Sequence, residues 1–260
     1  LKGCVTFAVM QPFVDKQRID KMNVELFKDG MKKLRAEVSE AQTEQFLKYS
    51  QLLVEWNKKM NLTAITDPDG ISVKHFLDSV LPLYTVGLSD CVSIADIGTG
   101  AGFPGIPLKI MRPEFKLTLV DSLNKRIRFL SEVVKELKLD DTECIHARAE
   151  ELGRDEEYRG RFDAVVSRAV ANMTVLCEYC MPLVKRGGIF VALKADGSAA
   201  ELNAAKPMIK KLGGKLEDVL SVPLPMSDIK RDLIVIRKTE DTPKNFPRRA
   251  DKIKKLGQNA

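Results

Sequence analysis

The segment Val92-Ser93-Ile94-Ala95-Asp96-Ile97-Gly98-Thr99-Gly100-Ala101-Gly102-Phe103-Pro104-Gly105 constrains this chain more than any other. Apolar residues run into an acid, and the acid runs straight into a turn of glycines followed by prolines. That order predicts a buried strand ending in a Gly-rich loop, with a helix starting near Pro104. Glycines there admit positive φ and let a ligand approach backbone that carries no Cβ. The helix start adds free N–H groups and the positive end of a dipole. The pattern is that of a site for a nucleotide-sized ligand.

Two ligands compete for the loop. Gly100-x-Gly102-x-x-Gly105 matches the dinucleotide fingerprint, which would cradle a pyrophosphate and make the chain an NAD-dependent oxidoreductase. Asp96-x-Gly98-x-Gly100-x-Gly102 instead puts the acid before the glycines. An acid there repels pyrophosphate but suits a cationic amino-acid moiety, as in S-adenosylmethionine. Lys116-Leu-Thr-Leu-Val-Asp121 predicts a second strand ending in an acid, suited to ribose hydroxyls in either case. The leading acid favours adenosylmethionine. A plain helix N-cap would also account for Asp121.

The 260 residues leave room for one α/β domain and an appendage, and 44% hydrophobic with 30% charged residues is the balance of a globular protein. No run of 18 apolar residues is present, so no membrane span or membrane partner is expected. Five cysteines, an odd number, argue against a disulfide framework and for the cytoplasm. Cys177-x-x-Cys180 lies in an apolar stretch at helical spacing with no second pair or His cluster, so buried thiols are expected and no metal. Residues 1–21 lack the cationic start and long apolar core of a signal peptide and are expected to be a leader ahead of Met22.

Of the net charge of +6, residues 1–38 carry +3, residues 244–260 carry +5, and the body between them −2. A basic tail on a near-neutral body points to a polyanion, whose counterions Lys and Arg displace, or to a solvated disordered terminus.

Apolar positions at helical spacing predict a helix over 39–60 and a second from Ser72 to Pro82, forming a small helical cap over 22–90. Strand–helix alternation follows. Strands are predicted at 92–96, 116–121, 142–146, 162–167, 188–193, 215–221 and 232–238. Helices are predicted at 104–111, 123–138, 148–152, 172–184 and 197–212. This is an α/β fold, a seven-stranded and mostly parallel sheet over 91–243 with helices on both faces. No helix separates the last two strands, so they are expected to pair as an antiparallel hairpin at one edge. That ending favours a Rossmann-like, class I methyltransferase sheet.

The chain resembles the RsmG family (also called GidB), bacterial methyltransferases acting on N7 of a guanine in 16S ribosomal RNA. The resemblance covers Met22 to the end and rests on several segments. These are Trp56-Asn57-Lys58-Lys59-Met60-Asn61-Leu62-Thr63, Lys74-His75-Phe76-Leu77-Asp78-Ser79, and Asp96 through the Phe103-Pro104-Gly105-Ile106-Pro107 continuation. Asp121-Ser122, Arg148-Ala149-Glu150-Glu151, Ser167-Arg168-Ala169 and Leu193-Lys194 complete them. It implies adenosylmethionine contacts at Gly98, Phe103, Ala149, Glu150 and Arg168. With the residues read directly, the expected cofactor set adds Asp96, Gly100, Gly102, Asp121 and Ser122. All of them follow the carboxyl ends of the first four strands, where ligands lie in an open α/β sheet. The tail Arg248, Arg249, Lys252, Lys254 and Lys255 is expected to bind RNA, and the small-subunit RNA or particle is the expected partner of a monomer.

The residues bear on the acceptor too. Ser167-Arg168-Ala169-Val170 stands where enzymes methylating exocyclic amines often carry an Asn/Asp-Pro-Pro-aromatic turn, and Cys180 falls inside an apparent helix. Guanine N7 already has an in-plane lone pair, so direct displacement needs no general base and none is assigned. Arg168, Lys194 and His75 are candidates for positioning the substrate. Rival readings are an adenosylmethionine-dependent enzyme on another RNA base or on a protein, the oxidoreductase above, and an RNA-binding module without catalysis.

Overall fold

The computed structural model describes residues 21–168 and 171–257; the leader expected over 1–21 lies, but for Lys21, outside the described residues. Seven strands form one sheet in the order β3-β2-β1-β4-β5-β7-β6. The strands are β1 (Ser93–Ile97), β2 (Lys116–Asp121), β3 (Thr142–His146), β4 (Phe162–Arg168), β5 (Val184–Ala195), β6 (Gly214–Pro223) and β7 (Lys230–Lys238). The first five run parallel, and β7 is antiparallel to both β5 and β6. The predicted architecture and the closing hairpin are both present.

Period-two alternation sends side chains of each strand to two separate cores. Ala164 and Val166 of β4, Ile189 and Val191 of β5, and Leu233 and Val235 of β7 face one core. Their neighbours Val165, Phe190, Ala192, Ile234 and Ile236 face the other. Helices α5 (Gly105–Met111) and α6 (Asn124–Glu136) cover the first face. Helices α7 (Ala149–Leu152), α8 (Met173–Cys180) and α9 (Ala199–Lys211) cover the second. Cys177 and Cys180 are buried in α8 as expected, and burial pushes both thiols up.

The N-terminal region, expected as a small helical cap, is helical and packs on the sheet. Helix α1 (Val24–Lys33), absent from the sequence reading, is capped by the Asn23 side chain on Leu26 N–H, and Phe27 and Met31 are buried. Helix α2 (Glu40–Met60) starts at a Ser39–Gln42 capping box. Next comes one helical run, α3 (Pro68–Gly70), a π-helical stretch Ile71–Leu77 and α4 (Asp78–Thr85), which passes through Pro82 instead of stopping there. Phe27, Phe46, Tyr49 and Phe76 from these helices share one core with Ile94, Phe103 and Ile106 of the sheet layer. Residues 22–90 therefore fold onto the sheet as one of its covering layers.

The C-terminal segment is also fastened down. Arg159 donates to the carbonyls of Gly153 (2.6 Å), Phe246 (2.8 Å), Thr242 (2.7 Å) and Pro243 (3.1 Å). Buried Lys238 donates to Met181 O (2.7 Å), Leu212 O (3.2 Å) and the Thr242 hydroxyl. Phe246 is buried in the second core and leads into α10 (Ala250–Gly257), whose Ile253 is buried. The segment is thus a strap, because its polar backbone finds donors on the body. Arg159→Ala is expected to lower the protection of amides 239–253 by about 2–4 kcal/mol, since hydrogen bonds to charged donors are worth about 1.5–3 kcal/mol each and their losses overlap. Hydrogen exchange checks this, and unchanged protection would show that the apolar anchors suffice.

Candidate cosubstrate pocket and substrate cleft

The glycine loop is shaped from both sides. Gly98, Gly100 and Gly102 all have positive φ, at 69°, 63° and 98°. Asp96 at the end of β1 is fully buried; its Oδ2 accepts from Thr99 Oγ1 (2.7 Å) and from Gly105 N–H (2.8 Å), the first residue of α5. A Cβ on Gly105 would stand 2.9 Å from Asp96 Oδ2 and 2.6 Å from Leu119 Cδ2, so glycine lets the helix start reach the carboxylate. Asp121 at the end of β2 mirrors this arrangement. Its Oδ2 accepts from Gly100 N–H (3.0 Å) and Arg126 Nη1 (3.1 Å), and its Oδ1 from Leu123 N–H (2.9 Å); the N-cap of α6 is Leu123, not Asp121.

A cavity of 250 Å³ opens beside this loop, lined by Gly98, Asp121, Ser122, Ala149, Glu150 and also Ile97, Val120, Arg148, Ala171 and Tyr179. It lies where β1 and β4 are neighbours and the strand order reverses, the crevice in which open α/β sheets hold their ligands. Five residues of the expected cofactor set thus converge on one space. Tyr179 of α8 was not foreseen, since only the packing of α8 on the second face brings it there. Burial pushes the Asp96 carboxyl up to about 6, against the pull of the Thr99 and Gly105 hydrogen bonds, and its Oδ1 has no partner among the described residues. Asp96 itself does not line the cavity, whose wall begins with the next residues, Ile97 and Gly98; its carboxylate shapes the loop from beneath.

The Asp96 shift fixes a sign. Its folded pKa lies above the unfolded value, so ionisation costs stability; the cost is absent below about pH 4 and complete above about pH 6. The stability difference between Asp96→Asn and the natural chain should move in favour of the variant by about 2–3 kcal/mol from pH 4 to pH 7. Denaturant titration across that range checks this, and a constant difference would mean an ordinary carboxyl.

Phe103 turns away from that cavity and toward the cap. Its ring stacks on His75 (4.5 Å between centroids, 14° between planes), lies 5.4 Å from the Tyr49 ring, and has the Arg168 guanidinium 5.0 Å above it. Tyr49 donates to the carbonyl of Ala101, so α2 grips the glycine loop directly. His75 is buried, with Nε2 against Thr63 Oγ1 at 2.9 Å. Burial and then the charge of Arg168 push its pKa down to about 3, so the ring is neutral and packs.

A second, larger space of 530 Å³ lies alongside, lined among others by Lys74, His75, Asp78, Arg168, Lys194 and Arg231. Buried Asp78 takes Arg168 Nη1 on Oδ2 (2.9 Å) and Arg231 Nε on Oδ1 (2.7 Å), bridging the cap to β4 and β7. Lys194 donates to Glu201 Oε1 (2.8 Å) and to Ala171 O (3.0 Å). Ala171 lines the smaller cavity, so this hydrogen bond from Lys194 links the linings of the two spaces. The three positioning candidates are brought to this cleft together.

The expected RNA tail is only partly free. Arg248, expected among the RNA-binding residues, is paired with Glu178 of α8 through its backbone N–H (2.6 Å), Nε (2.9 Å) and Nη2 (2.6 Å). Glu178 is fully buried and would be an unpaired charge without it. Arg249 and Lys252 are exposed, while the side chains of Lys254 and Lys255 lie outside the described residues. Among the described residues no group of three or more His, Cys, Asp or Glu could hold a metal, and no helix is long and apolar enough to cross a membrane.

A mostly parallel seven-stranded sheet with an antiparallel β7, a glycine loop after β1 and acids ending β1 and β2 defines a Rossmann-like methyltransferase. The model of the GidB family, rRNA small subunit methyltransferase G, matches residues 42–230. A protein named Ribosomal RNA small subunit methyltransferase G from Lysinibacillus sphaericus is 49% identical over 228 residues, 88% of this chain and 96% of that protein. Its namesake from Bacillus subtilis is 46% identical over 228 residues, 88% of this chain and 95% of that one. The chain belongs to the rRNA small subunit methyltransferase G family. Among solved structures, TYW2 from M. jannaschii in complex with AdoMet is similar over 56% of this chain and 68% of that one, at 18% identity and a TM-score of 0.44.

Proposed function

We propose that this protein transfers a methyl group from S-adenosylmethionine to N7 of a specific guanine in 16S ribosomal RNA, in the cytoplasm and as a monomer. The observation that carries the reading is the pair of adjoining spaces at the carboxyl ends of β1, β2 and β4, in a chain of this family. The smaller would take the cosubstrate, with Asp121 and Ser122 toward ribose, Ala149 and Glu150 toward the base, and Asp96, Gly98, Gly100 and Gly102 toward the amino-acid end. The larger, lined by Arg168 over the Phe103 ring, would take the target nucleotide.

The cosubstrate supplies an electrophilic methyl group on a sulfonium. The chain's own contribution is alignment, because guanine N7 presents its lone pair without losing a proton. Held reactants gain effective molarities of roughly 10⁵ M or more. The polar groups of the cleft suit that role. Neutral His75 is packed and Lys194 is paired with Glu201, so both serve as fixed walls without shuttling protons. Arg168, anchored by Asp78 over the Phe103 ring, keeps a guanidinium edge on the wall of the larger space. N7 faces the deep, narrow groove of A-form RNA, so the target guanine must sit in a loop or be extruded. Arg249, Lys252, Lys254 and Lys255 would hold neighbouring phosphates.

Cleavage mapping of 7-methylguanine in 16S RNA or small subunits incubated with the protein and adenosylmethionine tests the reading. One modified guanine is expected; methylation of another base or of protein would overturn it.

A further inference from the structure

Arg231 comes from β7, outside every motif that points to the cofactor, yet it lines the large cleft beside Arg168. Its Nε is spent on Asp78 Oδ1 at 2.7 Å, while Asp78 Oδ2 holds Arg168. One carboxylate therefore secures two guanidiniums side by side, and it lies beneath them with its own side chain 2% exposed. Arg231 stays 22% exposed, and hydrogen bonds from its Nη1 and Nη2 are absent among the described residues. Lys74 stands on the same wall, exposed, on the π-helical stretch that precedes Asp78. The remaining cation of the cleft, Lys194, is paired with Glu201. Asp196 lines the cleft too, so four cations (Lys74, Arg168, Lys194 and Arg231) meet three carboxylates (Asp78, Asp196 and Glu201), and a surplus of one positive charge remains.

We propose that Arg231 and Lys74 form a phosphate subsite that takes the backbone of the target nucleotide when its base enters the cleft. The proposal rests on the RNA-methylating reading above. A nucleotide that leaves its stack carries its phosphate along, and a largely enclosed phosphate needs a cation with free N–H groups nearby. A guanidinium held by one nitrogen and open at two meets that need with its planar fork. The 530 Å³ of the cleft lies within the roughly 300–1,000 Å³ range of small-ligand sites, room for a single nucleotide. Asp78 acts through the arginines as a positioning residue.

The test uses the full chain with Arg231→Gln, Arg231→Lys and Lys74→Gln, and 16S RNA as the probe. Arg231→Gln should raise the KM for RNA about tenfold and reduce the slope of log Kd against log salt by about 0.7–1, the loss expected for one phosphate contact. Arg231→Lys should restore part of the affinity and the slope, and Lys74→Gln should show a smaller effect of the same kind. S-adenosylhomocysteine affinity should stay unchanged in all three. An unaltered salt slope in Arg231→Gln, with weaker RNA binding matched by a loss of thermal stability or of S-adenosylhomocysteine affinity, would make Arg231 a structural strut and overturn the proposal. Absence of RNA methylation by the natural chain would instead strike the reading beneath it.

Discussion

Asp78→Ala is expected to destabilise the protein by about 3–5 kcal/mol and to abolish RNA methylation even where the folded form is recovered. Removing one partner of a buried ion pair leaves the others desolvated and unpaired, a penalty of about that size. Here the loss is shared by two arginines, Arg168 at 2.9 Å and Arg231 at 2.7 Å, both still partly solvated, so the lower half of the range is favoured. The bridge joins residues 90 and 153 positions apart, so its loss also loosens the helical layer from β4 and β7. Asp78→Asn keeps the shape and removes the charge, and should fall between the two. Urea unfolding with a methylation assay decides; a loss below 1 kcal/mol would mean that the arginines find water or another acceptor.

Gly102→Ala should be nearly as damaging, and for a local reason. Its φ of 98° lies outside what L-residues readily adopt, and an added Cβ would stand 2.5 Å from Ile106 Cδ1 and 2.6 Å from the Tyr49 hydroxyl oxygen. Strained φ and overpacking each cost about 1–3 kcal/mol, so a loss of about 3 kcal/mol is expected. Because Tyr49 donates to Ala101 O, the displaced tyrosine also frees the loop, and affinity for S-adenosylhomocysteine should drop more than tenfold. Tyr49→Phe, which keeps the ring and drops the hydroxyl, should weaken binding by a smaller factor. Calorimetry on both variants checks the pair. Full affinity in Gly102→Ala would mean that the loop tolerates a side chain and that Tyr49 is mere core.

The cofactor side was legible because its signals are local. Positive φ selects glycine, an acid at a strand end meets the next helix start, and both fit within ten residues of Asp96. The spacing also gave the strands, including the pairing of β6 with β7. Helix α1 was missed because its apolar face is short, with only Phe27, Gly30 and Met31 buried, and is completed by residues far along the chain. The stop expected at Pro82 failed because α3, the π-helical stretch and α4 continue through it, held by the core that Phe76, Leu77, Val80 and Leu81 enter.

Charged side chains were the hardest to read. Arg248 counted as one more cation of a basic tail, whereas the fold sets it against Glu178, 70 residues away. Arg168 and Lys194 were candidates for positioning the substrate, and each has a carboxylate partner that the sequence did not name, Asp78 and Glu201. The sequence by itself determined the strand order's raw material, the glycine loop and its two acids, since backbone strain and hydrophobic periodicity act over a few residues. Only the tertiary structure decided which cations remain free to meet a ligand. A charge is spent or available according to what stands within about 4 Å of it, and those neighbours come from any part of the chain.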